Sequence, residues 1–193
     1  MSRAVIPVEL LLEAYAAGWF PMGEDSGDIA WYSPDPRGVL PLDAFHVPAR
    51  LGRLLRQRPF TMRVDGDFRG TIEACAERGE TWITPPIVES YVALHERGYA
   101  HSVEAWAGGR LVGGLYGVHL GGVFFGESMF HTQTDASKVA LCHLVDLLRA
   151  RGFGLLDIQW VTPHLARFGA VELSRDAYLA RLRRCLRLDC AFA

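Results

Sequence analysis

Between residues 100 and 160 the chain reads as three strands in succession, a long helix and a fourth strand, and few folds accept that order. HSVEAWA (101–107) turns at Gly108-Gly109 into RLVGGLYGVHL (110–120), which turns at Gly121-Gly122 into VFFGESMF (123–130). Paired glycines between alternating segments mark hairpins, because tight hairpin turns need positive φ. A helix is expected over 136–151, ended by Gly152, and GLLDIQW (154–160) reads as a strand.

The elements around this block complete the pattern. TMRV (61–64) reads as a strand, Asp67 to Arg78 as a helix, and Pro86 to Arg97 as a second helix stopped at Gly98. After the fourth strand come a short helix (163–169), a short strand in VEL and a last helix from Ser174 to Arg184, with Ser174 as its cap. From residue 61 the order is β-α-α-β-β-β-α-β-α-β. That is the order of an α+β, N-acetyltransferase-like (GNAT-like) fold, a mixed sheet flanked by helices, an analogy of fold that names no substrate. Residues 61–193 are expected to form this domain. Residues 1–60 are expected to form a small N-terminal segment: a helix over 8–17, a Pro-rich aromatic loop with short strands near 29–32 and 37–40, and an Arg-rich helix over 49–57.

Composition narrows the class. Half of the 193 residues are hydrophobic and 22% are charged, which suits a globular chain large enough to bury a core without staples. No apolar run approaches the roughly 18 residues that span a bilayer. Glu9 and Glu13 interrupt the N-terminal apolar stretch, which makes it a poor signal peptide and a good amphipathic helix. Cys75, Cys142, Cys185 and Cys190 form no CxxC pair, and reduced thiols in a cytoplasmic protein are expected. The histidines show no ligand spacing, so no metal is expected. Net charge is −2, yet Arg50, Arg53, Arg56, Arg58 and Arg63 lie in a stretch without an acid. Such a run reads either as a solvated face or as a phosphate-binding stripe.

Three places carry polar groups in apolar surroundings. Glu127 lies among Phe124, Phe125, Met129 and Phe130. It reads either as an exposed-face carboxylate or as a polar anchor in an apolar pocket. Period two puts Phe125, Glu127 and Met129 on one side of the strand. Asp157 and Gln159 lie two apart on the last central strand, so the same rule puts them on one face. They read either as a satisfied core pair or as a working pair. In the second case Asp157 accepts from the Gln159 amide NH₂ and leaves the amide oxygen to guide an incoming amine. Trp82, just before a helix, reads as a core residue or as a stacking platform for a base.

Taken together, GWFPM (18–22), WYSPDPRGVL (31–40), TWIT (81–84), YVALHERGYAHSVE (91–104), LVGGLYGV (111–118), FFGESMFH (124–131), DASKVAL (135–141) and LLDIQ (155–159) resemble the leucyl/phenylalanyl-tRNA–protein transferase family over about residues 8 to 180. The resemblance implies transfer of Leu or Phe, with Met as a further donor, from aminoacyl-tRNA to the α-amine of proteins beginning with Arg or Lys, marking them for degradation. It implies no cofactor. By position, Asp157 and Gln159 match the catalytic pair. Leu115, Phe124, Glu127, Met129, Leu144 and Leu148 match the aminoacyl side-chain pocket, and Trp82 and Met22 the site of the tRNA 3′ adenosine. Arg50, Arg53, Arg56 and Lys138 would meet the tRNA backbone. Met22 stands where the family pattern has a second Trp, Leu115 where it has Met, and Leu144 and Leu148 where it has Phe. The pocket stays apolar with fewer aromatic walls.

Two other functions compete. An acyl-CoA-dependent N-acyltransferase on this fold would need phosphate-cradling glycines near residues 131–137, and HTQTDAS has none. A non-catalytic tRNA-binding protein would be favoured by loss of Asp157 or Gln159, and both are present.

Overall fold

A computed structural model describes residues 5–24, 26–77 and 81–192. The chain runs α1 (Val8–Ala16), β1 (Phe20–Gly23), β2 (Ile29–Tyr32), β3 (Arg37–Val39), α2 (Ala49–Gln57), β4 (Thr61–Val64), α3 (Phe68–Ala76) and α4 (Pro85–Glu96). It continues through β5 (Ala100–Ala107), β6 (Arg110–Leu120), β7 (Val123–His131), α5 (Ala136–Ala150), β8 (Leu155–Gln159), α6 (Pro163–Ala166), β9 (Val171–Leu173) and α7 (Arg175–Cys185). Local chemistry sets many of the ends. The Asp67 side chain accepts from the Gly70 N–H to start α3, and Ser174 accepts from Ala177 to start α7. Gly108 and Gly109 both take positive φ in the β5–β6 turn. Arg78, the expected end of α3, lies outside the described residues.

Seven strands form one mixed sheet in the order β4-β5-β6-β7-β8-β3-β9, and β1 pairs with β2 in a separate hairpin. Strand β3, from within the first sixty residues, is inserted antiparallel between β8 and β9. The main sheet is therefore completed from both stretches of the chain. One apolar core joins α1, α3, α4 and α7 to one face through Leu11, Tyr15, Ile72, Tyr91 and Leu182. A second joins α5 and α2 to the other through Leu144, Val145, Leu148 and Leu51.

Three local expectations differ from the structure. Strand β1 falls inside the stretch read as loop, because its pairing with β2 holds a segment that Pro21 and Gly23 make weak alone. Helix α6 ends at Ala166 rather than at 169. Strand β8 ends at Gln159 rather than at Trp160, because Gln159 adopts a left-handed φ of 58°.

Candidate active site

The site lies where two central strands part. Parallel pairing of β7 with β8 runs from Val123 and Leu155 to Phe125 and Asp157, and stops there. Beyond that point lies a cavity of about 360 Å³. Its walls come from Gly126 to Met129 on β7 and from Ile158 to Trp160 beyond the last β7–β8 pair. Leu115 of β6, Leu141 and Leu144 of α5, Phe20 and Met22 of β1, and Trp82 also line it.

A bulge shapes the β7 wall. Tyr116 of β6 faces Ser128 and Gly117 faces Gly126, so Glu127 is the extra residue. The strands close up beside it, where a Cβ on Gly117 would stand 2.2 Å from the Phe125 carbonyl oxygen. The bulge overturns the expected alternation. Phe125 packs in the core beneath α1, while Met129 packs in the opposite core with α5.

Glu127 is half-buried, opens on the cavity and is held from behind. Tyr15 of α1 donates to its Oε1 at 2.7 Å, and Tyr91 of α4 to its Oε2 at 3.2 Å. The two tyrosine hydroxyls are hydrogen-bonded to each other as well. Burial pushes the Glu127 carboxyl up to about 7. The two tyrosine hydrogen bonds oppose this, the charge of Asp157 adds to it, and Arg37 opposes it.

Asp157 lies below the cavity floor and is completely buried. Arg37, also buried, grips it with Nε at 2.9 Å from Oδ1 and Nη2 at 2.7 Å from Oδ2. Tyr178 of α7 donates to Oδ2 at 2.6 Å. The Arg37 guanidinium sits between the rings of Phe20 and Tyr178, at 4.8 and 4.7 Å, and donates to the Gly18 carbonyl at 3.1 Å.

The structure corrects the expected link between Asp157 and Gln159. Asp157 Oδ1 accepts from the backbone N–H of Gln159 at 2.9 Å, not from its side-chain amide. The left-handed turn at Gln159 breaks the two-residue period and swings the side chain toward the cavity, where Nε2 lies 3.4 Å from Glu127 Oε1. Asp157 therefore holds a left-handed backbone in place, and the Gln159 side chain lies beside Glu127. A left-handed non-glycine residue costs about 1–2 kcal/mol. Gln159→Gly should thus be about 1 kcal/mol more stable than Gln159→Ala in urea denaturation, while both lose the amide. Equal stability of the two variants would mean that the backbone there is not constrained.

The other expected site residues divide. Leu115, Met129, Leu144, Met22 and Trp82 line the cavity. The Trp82 carbonyl also accepts from the Gly23 N–H at 3.0 Å and ties the hairpin to the mouth. Phe124 and Leu148 do not line it. Both are fully buried in the core under α5, and Phe124 stacks on Phe192 at 4.9 Å. Their side chains fill the layer behind the pocket wall. Arg50, Arg53 and Arg56 are exposed along α2, away from the cavity walls. Lys138, in the first turn of α5, is ion-paired with Asp135. Among the described residues, no group of three or more His, Cys, Asp or Glu is placed to hold a metal ion.

Sequence reasoning missed Arg37, Tyr15, Tyr91 and Tyr178. One signal was present for Arg37. A lone arginine in RGVL, on a strand short enough to be buried, needs an acidic partner, and the nearby Asp35 is turned to Arg175 instead. The tyrosines carry no such mark, because each fits the apolar face of a helix.

Known proteins resemble the chain over most of its length. Residues 39–183 match the family described as Leucyl/phenylalanyl-tRNA protein transferase, and residues 5–35 match its N-terminal domain. A leucyl/phenylalanyl-tRNA–protein transferase of Salinibacter ruber is 58% identical over 179 residues, covering 92% of this chain and 79% of its own. That of Rubrobacter xylanophilus is 55% identical over 96% of this chain and 97% of its own, and that of Herpetosiphon aurantiacus is 53% identical over the whole of both. A solved structure of a functionally unknown conserved protein from Staphylococcus epidermidis aligns with 88% of this chain and 65% of its own, at 12% identity and a TM-score of 0.49.

Proposed function

The chain belongs to the leucyl/phenylalanyl-tRNA protein transferase family and is an aminoacyltransferase, and from that premise we propose that it moves Leu or Phe from aminoacyl-tRNA to the N-terminal α-amine of proteins beginning with Arg or Lys, marking them for degradation. The observation that carries this reading is an apolar cavity with one raised carboxyl, Glu127, and one amide, Gln159, on its wall. Leu115, Met129 and Leu144 suit a branched or aromatic side chain. Met22 and Trp82 offer surfaces for the terminal adenosine. The exposed arginines Arg50, Arg53 and Arg56, with no acid among residues 44–64, suit sequence-independent contact with the acceptor stem. The parallel pair β7–β8 that opens past Phe125 and Asp157 supports an N-acetyltransferase-like assignment. Among the described residues no helix is long and apolar enough to cross a membrane.

The chemistry needs a placed, neutral amine more than a strong catalyst. The amine nitrogen attacks the ester carbonyl carbon, a C–N bond forms, and the C–O bond to the adenosine ribose breaks. The Gln159 amide oxygen accepts from the incoming amine and orients it. Glu127, titrating near neutrality, takes the proton that the amine sheds, and the ribose oxygen leaves with a proton. Asp157 is a positioning residue, acting through the Gln159 backbone.

The test is transfer of labelled Leu and Phe from charged tRNA to peptides beginning with Arg, Lys, Asp or Ala. Transfer is expected to Arg and Lys alone, with Leu the better donor into a leucine-lined pocket. Transfer to Asp would overturn the acceptor specificity. Binding of tRNA without transfer to any peptide would overturn the enzymatic reading of this cavity.

A further inference from the structure

Trp160 lines the cavity one residue after Gln159, yet it stays 44% exposed. A large aromatic ring gains most from burial, so a ring left open at a cavity calls for an occupant. Trp160 is also firmly placed. Its N–H donates to the Ile158 carbonyl at 2.6 Å, closing a three-residue turn around the left-handed Gln159. Gly38 of β3 lies against its backbone, where a Cβ on Gly38 would stand 2.6 Å from the Trp160 carbonyl carbon. Phe20 and Tyr32 of the hairpin meet the indole in T-shaped contacts, with centroids at 5.3 and 6.4 Å.

The charges around the cavity say what the open ring suits. Among the described residues that line it, Glu127 is the only acid. Tyr15 and Tyr91 hold that carboxyl from behind, and the chemistry above commits it to the proton of the reacting amine. An acceptor beginning with Arg or Lys brings a second positive charge, on its side chain, and no further carboxylate lines the cavity to pair with it. An aromatic face attracts a cation without a carboxylate, and tryptophan does so best. The protein makes the same contact within itself, with Arg63 over the Trp106 ring at 4.5 Å and Arg37 over Phe20 at 4.8 Å. Among the described residues no cation of the chain lies over Trp160.

We propose that the exposed Trp160 ring is the platform for the cationic side chain of the acceptor's first residue, and so a specificity-determining residue for the acceptor. This inference rests on the acceptor reading above. Consecutive Cα atoms are about 3.8 Å apart. An amine oriented by Gln159 therefore has the next residue within reach of an Arg or Lys side chain, whose apolar stem can lie along the ring while its charge meets the face. The contact reads charge and length together, and it leaves Glu127 to the proton.

Four peptides test this, alike but for the first residue: Arg, its uncharged isostere citrulline, Lys, and its uncharged isostere norleucine. Leucyl-tRNA is the donor. The readout is the kcat/KM ratio of Arg over citrulline and of Lys over norleucine, because damage to the cavity wall alone moves both members of a pair together. Trp160→Leu should lower each ratio about tenfold, and Trp160→Phe, which keeps a weaker aromatic face, should lower it less. Ratios unchanged in Trp160→Leu would overturn the proposal and leave the acceptor reading standing. So would unchanged ratios with a raised KM for leucyl-tRNA, which would make Trp160 a platform for the adenine instead. Ratios near one in the unaltered protein would mean that acceptor charge is not read at all, and the Arg-or-Lys reading would fail and this one with it.

Discussion

Glu127→Gln should slow aminoacyl transfer by about 10²- to 10⁴-fold, the usual contribution of a placed general base, and should change the shape of the pH profile. Two groups must lose a proton before reaction: Glu127, pushed up to about 7, and the acceptor α-amine, at about 7.7–8.0 in model peptides. Below both values the logarithm of kcat/KM should climb with a slope near two in the unaltered protein and near one in the variant. An unchanged slope would remove Glu127 from the proton path. Stability separates this from unfolding. The folded carboxyl holds its proton more tightly than the unfolded one, whose value is 4.5, so its contribution is complete below 4.5 and is lost as pH rises through about 7. The glutamine has no charge to bury, so the variant should lose none of its stability across that window. Its amide oxygen can still accept from one tyrosine, and the other hydroxyl can turn to accept from the new NH₂.

Arg37→Met should destabilise the protein by about 3–5 kcal/mol, the usual consequence of leaving a buried carboxylate without its cation. Arg37 and Asp157 have side chains 1% and 0% exposed, so water cannot replace the lost partner. Urea denaturation measures the loss, and a drop below about 1 kcal/mol would mean that the pair is not the keystone it looks to be. Arg37→Met combined with Asp157→Leu should lose less than the sum of the two single variants, because removing both charges removes the uncompensated one. The double variant should not recover fully, since Tyr178 and the Gln159 N–H both lose their acceptor. Activity should fall in the variants that replace Asp157, because the left-handed turn that presents Gln159 depends on that acceptor, and also in Arg37→Met, where Asp157 loses the cation that fixes it.

Both predictions concern contacts that no local reading of the chain supplies. Glu127, Asp157 and Gln159 stand out in the sequence because each is a polar residue in an apolar strand, and burial of such groups demands a reason. Their mutual arrangement does not stand out. Period two puts Phe125, Glu127 and Met129 on one side, and the bulge at Glu127 sends Phe125 and Met129 into opposite cores. The same rule pairs Asp157 with the Gln159 side chain, and the positive φ at Gln159 redirects that pairing to the backbone. Phe124 and Leu148 were expected in the pocket by position and lie one layer behind it.

What the sequence by itself determined is local in origin. Glycine pairs set the hairpins between β5, β6 and β7, the apolar period set α4 and α5, and Asp67 and Ser174 set helix starts, each through interactions reaching only a few residues. That was enough to order the elements. Only the tertiary structure decided how the site is wired. Arg37 reaches Asp157 across 120 residues of chain, and Tyr15 reaches Glu127 across 112. The insertion of β3 beside β8 brings the first partner, and the packing of α1 and α4 on the sheet brings the tyrosines. Such contacts form because buried polar groups must find partners, and which partners are within reach is settled by how the sheet is assembled rather than by neighbours in the chain.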